Sequence, residues 1–267
     1  MTIKLGLFDS GVGGFSVLKR VKERFGNIPC VYLGDVARVP YGTKSPEEIR
    51  TIAIEITNWL NNQNLSAVLI ACNTTNSLAL DILEKNIKVP TFGLIESGAQ
   101  MILEERIGVL ATSATVASMS YTKKILSLNP GCFVLEQACP AFVPMIEMGQ
   151  LNTDEIRKVA IDYLKPLLDY EVQAVILGCS HYPLLSPLIK ELLPKQVRLI
   201  DPALGLVRSL EQVLKNSNYS SSDKGSVSNT RFCVTADPSG FATRAMYWLN
   251  NYPEVELVSL RSKACVF

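Results

Sequence analysis

The chain has 267 residues, and its 26 Lys and Arg against 25 Asp and Glu leave a net charge of +1. That length can bury the core of one large domain or two modest ones, while the balanced charge gives no bulk attraction to nucleic acid or an anionic membrane. No apolar run approaches the roughly 18 residues that a bilayer span needs, and Met1-Thr2-Ile3-Lys4-Leu5 leads straight into a strand pattern rather than a signal peptide, so a cytoplasmic protein with no nucleic-acid or membrane partner is expected.

The first predicted element is the apolar strand from Ile3 to Asp9, which runs through Ser10 and the turn Gly11-Val12-Gly13-Gly14 into a helix over Phe15 to Phe25. Such a turn puts free backbone N–H groups at a helix N-terminus, where an anion is favoured. A second strand, Cys30 to Asp35, leads into the polar stretch Ala37-Arg38-Val39-Pro40-Tyr41-Gly42-Thr43-Lys44-Ser45, long enough to fold over a cleft. Ser45-Pro46-Glu47-Glu48 then starts a helix with an N-cap, a proline at the first position and acids in the first turn.

Val68 to Ala71 is a short buried strand that stops at Cys72-Asn73-Thr74-Thr75, followed by a helix from about Ser77 to Lys85 and a strand at Thr91 to Ile95. Glu96-Ser97-Gly98 reads as a hinge into a second half. That half begins with the strand Arg106 to Ala111, a helical stretch at Ala114 to Leu126, the strand Phe133 to Leu135 and a loop at Cys139 to Pro144. It continues through Glu147 and a helix near Thr153 to Leu168 to the strand Val175 to Gly178, which ends on Cys179-Ser180-His181-Tyr182-Pro183. Arg198 to Pro202 is a further strand and stop; Ala203 to Lys215 is helical, and Asn216 to Asn229 reads as a mobile surface loop. The strand Arg231 to Ala236 and the helix Gly240 to Leu249 are expected to return to the first half.

Two strands therefore end on a cysteine followed by small polar residues, and each is preceded by a glycine-interrupted strand, Ile3 to Asp9 before the first and Arg106 to Ala111 before the second. The repeat predicts two pseudo-symmetric α/β domains with parallel sheets facing each other across a cleft. Residues 1–96 with 210–267 are expected to form the first, and residues 97–209 the second. Ligands of open parallel sheets bind at the C-terminal strand ends, which places Cys72 and Cys179 on one cleft.

The seven cysteines are odd in number and lack the CxxC spacing of zinc or redox sites, so reduced thiols and no metal site are expected. One buried cysteine is ordinarily a small core residue, but two in matched contexts, each followed by polar residues that a core would reject, point to chemistry. His181, the only histidine, follows Cys179 by two positions. Gly11-Val12-Gly13-Gly14-Phe15-Ser16 is a near miss to a dinucleotide fingerprint, with Asp35 at the ribose-binding position, but Ser16 replaces its third glycine and the paired thiols stay unexplained. A Walker loop is excluded because no Gly-Lys-Ser/Thr follows. Two opposed thiols suit proton transfer: inverting a carbon centre takes a base on one face and an acid on the other, and a cysteine, with an ordinary pKa of about 8.5, serves as either.

The segments Phe8 to Gly14, Tyr32 to Asp35, Ala37 to Ser45, Ala71 to Thr74, Gly108 to Thr115 and Leu177 to Pro183, in this order, resemble glutamate racemase, of the aspartate/glutamate racemase superfamily. The resemblance implies two-base racemisation of glutamate without pyridoxal phosphate, metal or other cofactor, supplying D-glutamate for peptidoglycan, by an enzyme that is often a homodimer. It implies that Cys72 acts on D-glutamate with Asp9 assisting, and Cys179 on L-glutamate with His181 and Glu147 assisting. It also implies substrate contacts at Asp9, Ser10, Tyr41, Gly42, Asn73, Thr74, Thr112, Thr115, Ser180 and His181. Ser180 stands where threonine is common, and Glu96-Ser97-Gly98 where Glu-Pro-Gly is usual. The other readings are a racemase of the superfamily acting on aspartate or hydantoins, a thiol-redox enzyme, and a non-catalytic binding protein.

Overall fold

A computed structural model describes residues 3–215 and 229–260. The loop expected at 216–229 lies almost wholly outside the described residues, as does Cys265. Among the described residues no helix is long and apolar enough to cross a membrane.

Two sheets form, and every strand pair in both is parallel. In the first half, β1 (Leu5–Asp9), α1 (Phe15–Phe25), β2 (Cys30–Gly34), α2 (Pro46–Asn61), β3 (Ala67–Ile70), α3 (Asn73–Asn86) and β4 (Thr91–Gly93) alternate along the chain. After the short α4 (Leu94–Ala99), the second half runs β5 (Arg106–Ala111), α5 (Ser113–Ser118), α6 (Ser120–Leu128), β6 (Phe133–Ala138), α7 (Phe142–Glu147), α8 (Asp154–Asp169), β7 (Ala174–Gly178), α9 (Ser186–Leu192) and β8 (Arg198–Ile200). The chain then crosses back through α10 (Pro202–Lys215) and adds β9 (Thr230–Val234), α11 (Pro238–Leu249) and β10 (Val255–Leu257) to the first sheet.

The first sheet is ordered β10-β9-β2-β1-β3-β4 and the second β6-β5-β7-β8. Stripped of the returning strands, the orders 2-1-3-4 and 6-5-7-8 are the same path walked twice, which is the repeat read in the sequence. In each, the strand order reverses beside the first strand, β1 or β5, and a cleft opens at such a switch point beyond the C-terminal strand ends. The cysteines follow the equivalent strands β3 and β7. Strands β1, β2, β3 and β7 are buried along their whole length, because helices cover both faces.

Local chemistry explains most boundaries. Ser45 and Glu48 form a reciprocal capping box with Pro46 at the first helical position of α2, an arrangement worth about 1 kcal/mol. The single helix expected at Ala114 to Leu126 is instead two, because Met119 adopts a left-handed conformation with φ 53° and Ser118 bonds back onto Ser120. The loop expected at Cys139 to Pro144 contains the start of α7. Strand β10 was not expected at all: three residues, two of them exposed, carry little period-2 signal.

The expected hinge Glu96-Ser97-Gly98 lies inside α4, which packs tightly on α10. The second boundary expected, at 209/210, falls within α10, whose buried Leu206, Val207, Leu210 and Leu214 all join the core beneath α1 and β1. We propose that the return to the first half begins at Pro202.

The α4–α10 contact depends on Gly205: a Cβ there would lie 2.4 Å from the Ser97 carbonyl oxygen. Backbone cannot yield as a side-chain tip does, so overpacking outweighs the roughly 1 kcal/mol that alanine gains in helix propensity. Gly205→Ala is expected to lower unfolding stability by about 1–2 kcal/mol, read by denaturant titration; an unchanged or higher midpoint contradicts this packing account.

Candidate active site

A cavity of about 670 Å³ lies between the C-terminal ends of the two sheets and is lined from both halves. Cys72 and Cys179 both border it, 4% and 6% exposed. Cys72 sits at the N-cap of α3 and Cys179 immediately after β7, so each thiol is presented by a strand end, not by a loop. A third thiol, Cys139, borders the cavity after β6, with its sulfur turned onto the Gln137 carbonyl.

The two catalytic-type thiols have unlike neighbours. Burial and the negative charge of Asp9 push the Cys72 thiol up to about 12, against hydrogen bonds from Thr75 and Ser10 that pull the other way. Asp9, at the tip of β1, is fully buried behind the cavity wall. Its carboxyl group accepts from the Gly11 N–H at 3.0 Å and from the Ser180 hydroxyl at 2.9 Å, the latter reaching over from the second half.

On the other side, His181 Nδ1 lies 4.0 Å from Cys179 Sγ and its Nε2 lies 2.7 Å from Glu147 Oε1. Burial opposes charge on the ring, but Cys179 and Glu147 together outweigh it and raise His181 to about 10. Glu147 is held below the usual carboxylate range, with burial opposed by His181 and by Arg244. Arg244, on α11 of the first half, places Nε 3.2 Å from Glu147 Oε2.

The remaining expected residues divide into those that face the cavity and those that support it. Ser10, Tyr41, Gly42, Asn73, Thr74, Thr112, Ser180 and His181 line it. Thr115 is fully buried behind Thr112, whose hydroxyl it receives at 3.0 Å; Thr112 in turn meets Thr74 across the halves at 3.0 Å. Tyr41 borders the cavity, but its hydroxyl is donated to Asp35, which also receives Arg38 and Thr235. Asp35 is thereby a loop anchor, not a ribose ligand. Asn73 has Oδ1 fixed by the Tyr121 hydroxyl at 2.7 Å while its buried Nδ2 has no partner, a donor in want of an acceptor.

Three of the N–H groups that the glycine turn offered to an anion are already occupied. The Phe15 and Ser16 N–H groups are taken by the Val12 and Gly13 carbonyls, and the Gly11 N–H by Asp9. A Cβ on Gly13 would lie 2.4 Å from both Ser180 Oγ and His181 Nδ1. Gly13 is thus required by the Ser180–His181 segment of the second half, and Gly14 by Tyr32, Asp9 and Ala71 of its own half. Sequence reasoning missed Arg244 and Asp237 at the cavity edge; an arginine on an amphipathic helix far along the chain carries no local signal.

Comparison with known proteins gives the family of the chain. Residues 14–210 match the profile of the Asp/Glu/Hydantoin racemase family. The chain is 53% identical over 255 residues to the glutamate racemase of Synechococcus sp. (strain CC9605), covering 95% of this chain and 96% of that one. It is 51% identical to the glutamate racemase of Prochlorococcus marinus (strain NATL2A), covering 99% and 100%. The crystal structure of glutamate racemase from Francisella tularensis subsp. tularensis SCHU S4, in complex with D-glutamate, superposes with a TM-score of 0.89 at 35% identity, covering 97% of this chain and 98% of that one.

Because the chain has one histidine, a single imidazole signal in NMR reports the site. Its midpoint is expected near 10, and Glu147→Gln is expected to lower it by at least about one pH unit, since the remaining amide holds the charged ring less well. A raised folded-state pKa stabilises the protein fully below the unfolded value of about 6.5 and loses that contribution as pH rises through the folded one. A wild-type midpoint near 6.5 would contradict the His181–Glu147 pairing.

Proposed function

The chain belongs to the Asp/Glu/Hydantoin racemase family, and from that premise we propose that it interconverts L- and D-glutamate by two-base proton transfer between Cys72 and Cys179. One observation carries the reading: equivalent strand ends of the two halves deliver one thiol each to the same cavity.

The chemistry follows from that arrangement. A thiolate on one face of Cα removes the α-proton while a thiol on the other face delivers one, so the two sulfurs exchange protonation states at each turnover. Cys72 removes the proton from D-glutamate and Cys179 from L-glutamate. Asp9 is the proton partner on the Cys72 side, and His181 with Glu147 on the Cys179 side. The substrate's α-ammonium group, brought beside Cys72, opposes the negative field of Asp9 that keeps this thiol protonated at rest.

The carbanion-like transition state is stabilised by fixed donors around two buried thiols. The unpaired Asn73 Nδ2 and the Ser10 hydroxyl are the donors for the substrate carboxylates, and Thr74 and Thr112, hydrogen-bonded to each other, contact the substrate beside them. Ser180 and Thr115 act from behind, Ser180 on Asp9 and Thr115 on Thr112. Tyr41 and Gly42 form one wall. Supply of D-glutamate for peptidoglycan, a cytoplasmic location and a homodimer are carried by the family resemblance alone.

Incubation with either glutamate enantiomer in D2O, without added cofactor, is expected to place deuterium at Cα. Absence of exchange would exclude glutamate as substrate, and aspartate in the same assay separates the neighbouring specificity. Cys72→Ser and Cys179→Ser are each expected to reduce racemisation about a thousandfold or more, because an alcohol is a far weaker base than a thiolate; full activity in either variant removes the two-base assignment.

A further inference from the structure

Among the described residues lining the cavity, Arg244 is the only arginine or lysine. It stands on α11 of the first half, yet its Nε is 3.2 Å from Glu147 Oε2 of the second, and its Nη2 is 3.4 Å from Asp237 Oδ2. The other Glu147 oxygen is 2.7 Å from His181 Nε2. A single carboxylate is thus shared between a cation fixed in one half and an imidazole fixed in the other.

We propose that Arg244 is a positioning residue for proton transfer at Cys179: by occupying one oxygen of Glu147 it tempers the pull of that carboxylate on His181, so that the ring can give up its proton. The proposal takes its chemistry from the racemase reading above and its geometry from the ion pair. When Cys179, as a thiol, delivers its proton to the substrate carbon, it is left as a thiolate. The Nδ1 proton of His181 then moves onto Sγ, 4.0 Å away, and the neutral ring keeps its Nε2–H on Glu147. A ring held charged too strongly fails at that step, because general acid catalysis is best when the donor is not far more basic than the working pH.

The other groups facing His181 do not supply this moderation. Cys179 and Glu147 both favour the charged ring. Asp9 reaches the segment only through Ser180, and Asp237 lies beyond Arg244. The Tyr32 phenol, near Asp9 and Glu147, is held in its neutral form by burial. Arg244 is the one positive charge placed against the Glu147–His181 pair. Both partners of its ion pair are about 30% exposed, so the effect is moderate.

Arg244→Gln removes the charge at similar length, and Arg244→Lys keeps it. In Arg244→Gln the His181 NMR midpoint is expected to move above its wild-type position, with kcat lowered about fivefold and KM unchanged; Arg244→Lys is expected to stay near wild type in both. A midpoint that stays or falls in Arg244→Gln, or equal losses in the two variants, overturns the proposal. So does a rise in KM alone, which would make Arg244 a substrate ligand. Should Arg244→Gln fail to fold, Asp237→Asn preserves the cap of α11 and frees Arg244 for Glu147, and the expected midpoint is then lower than wild type. A wild-type protein that does not racemise glutamate would remove the substrate reading, while the imidazole titration would still decide whether Arg244 acts on His181.

Discussion

A carboxyl group with no solvent exposure, Asp9, constrains everything around it. Such a group is tolerated in a core only when hydrogen-bond donors replace the water it has lost. One donor is local, the Gly11 N–H, and shapes the turn after β1; the other is Ser180, which belongs to the opposite half. The requirement for that second donor ties the tip of β7 to the tip of β1, and Cys179 and His181 are carried to the cleft with it.

The backbone repeat makes the two thiols equivalent in position, and the side chains then give them unlike surroundings. Cys72 faces a carboxyl group, whereas Cys179 faces an imidazole that stays charged at neutral pH. Two-base inversion needs that inequality, since at each instant one sulfur must hold a proton and the other must lack it. A perfectly symmetric site would leave the resting proton arrangement undetermined. Divergence of the two surroundings on a duplicated scaffold breaks that symmetry.

How far the sequence could be read depended on whether the signal was local. The buried strands ending on Cys72 and Cys179 were legible because an apolar run stopping on polar residues is a pattern within one segment. The doubled strand order was legible because the repeat preserves it. What stayed hidden was contact-dependent. The glycines after β1 carry no local sign that Ser180 and His181 take the space a Cβ on Gly13 would need. Tyr41 stands at the cavity as the resemblance implies, but only the fold shows that Asp35 holds its hydroxyl. Arg244 had no motif, because its importance comes from Glu147, brought alongside only by folding. Glu96-Ser97-Gly98, expected as a hinge from its turn-forming residues, does lie between β4 and β5, and only the fold shows that it is helical and packed against α10.

The separation of the halves is itself set by residues that lack a side chain. At the floor of the cleft Gly13 meets Ser180 and His181; at its rim Gly42 meets Thr112, with a Cβ position 3.0 Å from the threonine; at the back Gly205 meets Ser97. Each contact is between elements of different halves or of the junction that joins them, and at each an added methyl group would make its neighbour shift, a side chain at Gly13 and Gly42 and the backbone at Gly205. Proton transfer across a single carbon tolerates displacements well under about 1 Å before the reacting atoms leave hydrogen-bond range. Of the three close approaches, Gly205 against the Ser97 carbonyl is the contact with backbone, so the junction of α4 and α10 is the unyielding part of the seam and the contacts at Gly13 and Gly42 are the adjustable ones.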